Sequence, residues 1–174
     1  LTSNSSLSLL FNILPDGNGT RNLGASLTKF ATVYANTFSG TSTQAQYADV
    51  AERFHADDVY APGTVVALGG ANEITKVAED ASEDVFGVVS NTAAYLMNAT
   101  AGDDTTHPAV AVGGRVQVKV TGKVRKGQRL VSAGNGIARA ANSGEANSFN
   151  TIGRALAHKT TDGVGTVEAF VSIN

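Results

Sequence analysis

The stretch "RVQVKVTGKVRKGQRLV", residues 115–131, constrains this chain more than any other. Val116, Val118 and Val120 alternate with Gln117 and Lys119, the period of a strand with one dry and one wet face. Burying a valine is worth about 1.5–3 kcal/mol, and a one-residue slip would put three of them in water and a lysine in the core. The register should therefore be firmly set, with Thr121-Gly122 and Lys126-Gly127 as turns. From Val59 onward the same style recurs in "VYAPGTVVAL", "NEITKVA", "DVFGVVS", "TIGRALAHKT" and "TVEAFVSI". Turn signals fall roughly every 8–12 residues, which predicts a mainly β chain closed as a barrel or packed as a sandwich. "GGANEI" and "VGGRV" read as hairpin turns, and no period of roughly 20–50 residues marks a solenoid.

Composition agrees. Charged residues make up 16% of the chain, below the roughly 25% usual for globular domains, and glycine (19 residues), serine, threonine and asparagine fill the gap. Cysteine is absent, which excludes disulfides and thiol chemistry. No run of about 18 apolar residues is present, so no transmembrane helix and no membrane insertion are expected. "SSLSLLFNIL" is too short, and too poor in basic flanks, for a signal peptide, and a start at Leu1 rather than Met reads as a fragment or processed product. The net charge of −2 hides an asymmetry: residues 1–90 hold 4 Lys/Arg against 10 Asp/Glu, and residues 91–174 hold 9 against 5. Opposite halves can attract within or between protomers.

The chain changes style at Ser42–Thr43. Residues 1–42 read as an extended arm: "ILPDGNGTRNLG" is rich in turn dipeptides, and "FATVYANTF" alternates like a strand. About a dozen large apolar residues in that span do not offset the ordering entropy of an independent domain, so the arm should be ordered by other chains or by the rest of this one. Residues 43–58 read as a connector. Thr43 and Gln46 fit a capping box, and Tyr47, Val50, Ala51 and Phe54 follow helical spacing over 43–54, although the same letters allow a strand from Tyr47. Residues 59–174 form the β-rich terminal domain.

Candidate chemistry is sparse. His55, His107 and His158 stand about 50 residues apart, each alone, without metal-ligand spacing. "DGNGT" (16–20) and "GDDTTH" (102–107) lack the ligand alternation and distal Glu of a calcium loop and read as turns. Arg115, Lys119, Lys123, Arg125, Lys126 and Arg129 form an acid-free basic run. No aromatic is interleaved for base stacking, so a solvated face or an inter-subunit salt-bridge surface is expected rather than nucleic-acid binding. No Ser-His-Asp set, GxSxG, P-loop or dinucleotide fingerprint occurs, so no diffusible-substrate enzyme, cofactor or metal is expected.

In order, Thr32-Val33-Tyr34-Ala35-Asn36-Thr37-Phe38, Gly40-Thr41 and Tyr47-Ala48-Asp49-Val50-Ala51-Glu52, continued by "YAPGTVVAL", "FGVVSNTAAYLMN", "GGRVQVKVTGKVRKGQRLVSA" and "IGRAL", resemble structural proteins of tailed bacteriophages. The resemblance covers nearly all of residues 21–174. It implies a virion structural protein, the C-terminal part of a tail fibre or appendage, without enzymatic activity. The implied partners are two further copies in a homotrimer, other virion proteins, and a host-surface glycan or protein receptor. More distantly, the chain is similar to the intramolecular-chaperone domains that end phage tailspikes and appendages, assist trimerisation and cut themselves off near a serine. That likeness implies Ser42 beside the cut and Asp49 and Glu52 as nearby carboxylates. The stretch here lacks that group's Trp and carries Arg53. Self-cleavage, like capsid decoration, is the alternative to a purely structural role.

Overall fold

The computed structural model describes residues 10, 12–17, 19–37 and 49–172. The chain divides into two compact units, Leu1–Thr41 and Ser42–Asn174.

In the first unit, Ala25 and Thr28 exchange backbone hydrogen bonds of 3.0 and 3.1 Å, and Arg21 pairs with Asp16 at 2.6 Å. Residues 30–37 form no strand, against the alternation of "FATVYANTF". A strand needs a neighbouring ladder to satisfy its amides and carbonyls, and none of the described residues offers one there. Leu10, Ile13, Leu14, Leu23, Leu27, Phe30, Val33 and Tyr34 are all exposed.

Among the described residues ten strands build the second unit, and the expected β architecture holds. They are β1 (Asp49–Arg53), β2 (Val65–Leu68), β3 (Ile74–Lys76), β4 (Val85–Val89), β5 (Tyr95–Met97), β6 (Ala109–Thr121), β7 (Arg129–Ser132), β8 (Ala138–Ala140), β9 (Gly153–Ala155) and β10 (Val164–Ser172). The sheet runs β10-β9-β7-β8-β6-β4-β2-β3, and pairing of β10 with β6 closes its first part into a barrel. β1 and β5 extend the sheet beside the first half of β6.

The 13-residue β6 organises the molecule. Its first half pairs with β1 and β4, its second with β10 and β8. Val116, Val118 and Val120 are buried as expected, packed with Val65, Leu130, Ile152, Val167 and Val171. Two expectations need correction. Gly113-Gly114 is no hairpin turn; it lies inside β6, where Gly114 takes a φ of 108° and the register against β1 shifts, so the strand bends as it changes partners. Residues 49–53 of the expected helix are strand β1, because pairing with β5 and β6 and burial of Ala51 override helical spacing. Thr43, Gln46, Tyr47 and the rest of 38–48 lie outside the described residues.

A second cluster (Ala56, Tyr60, Val66, Ile74, Val89 and Val110) sits on the other face of β2, with Phe54 and Phe86 packed edge to face at 5.0 Å. Adjacent Val65 and Val66 are therefore both fully buried, one in each cluster.

Candidate functional site

β1 brings the two carboxylates suggested by resemblance into the fold and separates them. Successive side chains of a strand point to opposite faces, so Asp49 and Ala51 share one face and Val50 and Glu52 the other. Asp49 and Ala51 are buried, Val50 is exposed and Glu52 is half-buried. The two acids cannot converge on one atom from opposite faces of the same strand.

Asp49 is the unusual one. It is 1% exposed, yet among the described residues neither side-chain oxygen has a hydrogen-bond partner, although its backbone carbonyl accepts from Ala94 at 2.9 Å. Burial raises its pKa above the ordinary 3.8, opposed in part by the Ser90 hydroxyl and its own amide. Neither donor meets hydrogen-bonding geometry at a carboxylate oxygen. Such a carboxyl is a stronger base once ionised than a solvated one and holds its proton to higher pH, a shift in the direction that favours proton transfer. It is the first described residue after the segment containing Ser42, which lies outside the described residues.

At the other end of β1, Arg53 Nη1 donates to Asp104 Oδ1 at 2.8 Å and to the His107 carbonyl at 2.6 Å, while Asn98 Nδ2 donates to the Arg53 carbonyl. These contacts fasten the 98–108 loop to β1. Two of the histidines, read from sequence as standing alone, in fact meet: the His55 and His107 rings stack with centroids 4.6 Å apart. β1 and the loop before β6 converge there, a juxtaposition of residues 52 positions apart that spacing rules cannot register. "GDDTTH" is the turn it was read as. Asp103 accepts from the amides of Thr105 and Thr106 and from both hydroxyls, and those bonds lower its pKa to about 2.

The basic run is partly committed. Arg115 pairs with Glu168 at 3.1 Å and Lys123 with Asp162 at 3.7 Å, and His158 Nδ1 accepts from the Lys126 amide. Lys119 lies on the outer face as expected but is half-buried rather than free, its Nζ donating to Thr64 Oγ1 at 2.9 Å.

Comparison with known proteins gives three results. A sequence model of the family Peptidase_G2, described as the IMC (intramolecular chaperone) autoproteolytic cleavage domain, matches residues 16–107, just over half of the chain and both sides of the seam. No curated protein matches in sequence. Among solved structures, the C-terminal fragment of bacteriophage phi29 gene product 12 aligns over 71% of this chain and 100% of its own, at 17% identity and a TM-score of 0.51. The pre-mature form of the phi29 protein aligns over 77% of this chain at 15% identity and a TM-score of 0.54, with the aligned part 23% of its length. These two likenesses establish a shared fold.

Proposed function

This chain belongs to the Peptidase_G2 family of IMC autoproteolytic cleavage domains, and from that premise we propose that it is the self-releasing chaperone domain of a phage appendage protein, cut at the 41–43 seam. The observation that carries the reading is Asp49, a carboxyl buried without a hydrogen-bond partner among the described residues and seven positions after Ser42 in the chain. In the proposed step the carboxylate takes the proton of the Ser42 hydroxyl. The oxygen attacks the carbonyl carbon of Thr41, and the C–N bond breaks as the Ser42 nitrogen accepts a proton. Water then hydrolyses the Thr41 ester, leaving a carboxylate on Thr41 and a free hydroxyl and amine on Ser42. Glu52, facing away from Asp49, takes no part. Intact-mass analysis of freshly made 174-residue chain tests this. Two fragments dividing at 41–43 are expected, and Ser42→Ala or Asp49→Asn should leave the chain whole. A wild-type chain that stays whole for days between pH 5 and 8, or a Ser42→Ala chain that cuts at the normal rate, would overturn the reading.

A virion component that assembles as a homotrimer in the host cytoplasm and contacts other virion proteins fits the same reading. The eight exposed apolar side chains between Leu10 and Tyr34 support it, because a surface of that kind is stabilised by burial against other copies. Removing residues 1–41 should leave a folded β unit that no longer forms stable trimers. Light scattering from 42–174 at full trimer mass would rule that out. We place host attachment, to a surface glycan or protein receptor, with the upstream appendage rather than with this seam.

A further inference from the structure

Strand register assembles a row of side chains that no stretch of sequence contains. Arg129 on β7 pairs with Arg154 on β9, Arg154 pairs with Phe170 on β10, and Phe170 pairs with Arg115 on β6. Directly opposed residues share a face, and all four side chains are exposed, so they form one line across four neighbouring strands on the outside of the barrel. Adjacent strands lie about 4.7–4.9 Å apart, so the row spans roughly 15 Å.

Two guanidinium groups directly opposite one another repel and destabilise a sheet unless an anion lies between them. No acid fills that role here. Among the described residues neither Arg129 nor Arg154 forms an ion pair, while nearby Glu145 is held by Arg139 at 2.5 Å and Glu168, on the same face, by Arg115. The two arginines instead border a cavity of about 320 Å³ whose wall includes Gln128, Asn142, Ser143 and Gly144. That wall offers amide and hydroxyl partners and no carboxylate. Phe170 stands beside it with 53% of its surface exposed.

We propose that this row is a binding site for a saccharide bearing phosphate or sulfate esters. The paired guanidinium forks hold the ester oxyanion, Gln128, Asn142 and Ser143 meet sugar hydroxyls, and the Phe170 ring covers the apolar face of the adjoining sugar. A single exposed ring suits one sugar better than the successive stacked bases of single-stranded nucleic acid. The site is independent of the cleavage chemistry.

Titration calorimetry on the 174-residue chain in physiological salt tests it with a heparin hexasaccharide, a sugar-phosphate oligomer and an oligothymidylate. One or both saccharides should bind, and which does identifies the ester. A charge-assisted hydrogen bond is worth about 1.5–3 kcal/mol, so Arg129→Gln/Arg154→Gln should weaken binding at least about tenfold. Phe170→Ala should weaken it about threefold to tenfold. Lys123→Gln, at a turn away from the row, should change nothing. Without ligand the double variant should melt no lower than wild type, since it removes a like-charge contact. Should it not fold, Arg154→Lys, which keeps the charge and loses the fork, should still weaken binding severalfold. The proposal is overturned if neither saccharide binds, if binding is indifferent to these variants, if oligothymidylate binds as tightly, or if the double variant changes the oligomeric state and so marks the row as a contact between copies.

Discussion

Lys159 and Asp49 are both charged and both out of water, yet the fold treats them in opposite ways. Lys159, 8% exposed, donates from its ammonium to the carbonyls of Gly122, Thr161 and Gly163 at 2.7–2.9 Å. The space is made by Gly165, where a Cβ would overlap Lys159 Cε. Three acceptors for three donors is complete satisfaction. Asp49 is more deeply buried and, among the described residues, has no hydrogen-bond partner on either oxygen. A buried charge with a full set of partners is structure, binding two turns into one closed end of the barrel. A buried charge without them costs stability, and a chain keeps such a cost where the group has work to do.

The largest effect should come from breaking the satisfied site. Lys159→Met strands three carbonyls that water cannot easily reach, at about 1–3 kcal/mol each. A total of about 3 kcal/mol or more lowers the melting temperature of a domain this size by roughly 6–12 °C. Differential scanning calorimetry measures it, and an unchanged melting point would mean that those carbonyls find water and that Lys159 is not structural.

Changing the unsatisfied site should act in the other direction. Asp49→Asn removes a charge that has no partner, so at pH 7 the variant should be more stable by about 1 kcal/mol while losing self-cleavage. The pH dependence follows from the raised pKa. Below the ordinary value of 3.8 the carboxyl is protonated in both folded and unfolded chains and contributes nothing. As pH rises through 3.8 the unfolded chain releases its proton first, so stability falls until the folded pKa is passed and stays low above it. The gain in Asp49→Asn should therefore be present at neutral pH and vanish in acid. A loss of stability at pH 7 would instead reveal a partner that the described residues do not include.

Sequence made some of this legible and hid the rest for one reason. The valine alternation of 116–120 and the glycine turns at 122 and 127 are local, and they survive intact. Asp49 was singled out only through resemblance. Its burial depends on β1 lying between β5 and β6, partners about 45 and 60 residues away. Register between distant strands likewise created the His55–His107 stack and the Arg129–Arg154–Phe170–Arg115 row. It also put an aromatic beside cations, which a linear reading of the basic run excluded. The helix expected over 43–54 failed over 49–53 on the same ground, since cross-strand pairing outweighs a spacing preference worth tenths of a kcal/mol per residue.

The smallest expected effect comes from a third carboxylate, which sharpens the contrast because it is half-buried and well partnered. Glu145 accepts from both terminal nitrogens of Arg139, which also holds Asp80, and from the Asn142 amide at 2.7 Å. The Arg139 bonds, then the amide, lower its pKa from 4.5 to about 2. Its sign is the reverse of Asp49's. A carboxylate with a lowered folded pKa stabilises the chain fully above 4.5, and the contribution disappears as pH falls from 4.5 toward about 2. Glu145→Gln should therefore make the acid limb of the stability curve shallower and leave most of the neutral-pH melting temperature in place, since Arg139 keeps Asp80 as its counter-ion and the Gln oxygen can still accept a hydrogen bond. The measurement is melting temperature against pH from 2 to 7 at low and high salt, for wild type, Glu145→Gln and Asp49→Asn. Wild type should show two opposed slopes in acid, Glu145→Gln should weaken the one that rises with pH, to which Asp103 also contributes, and Asp49→Asn should lose the one that falls. If both variants lose the same slope, the two carboxylates are not the opposites that their hydrogen bonds make them, and the distinction between satisfied and unsatisfied charge fails in this molecule.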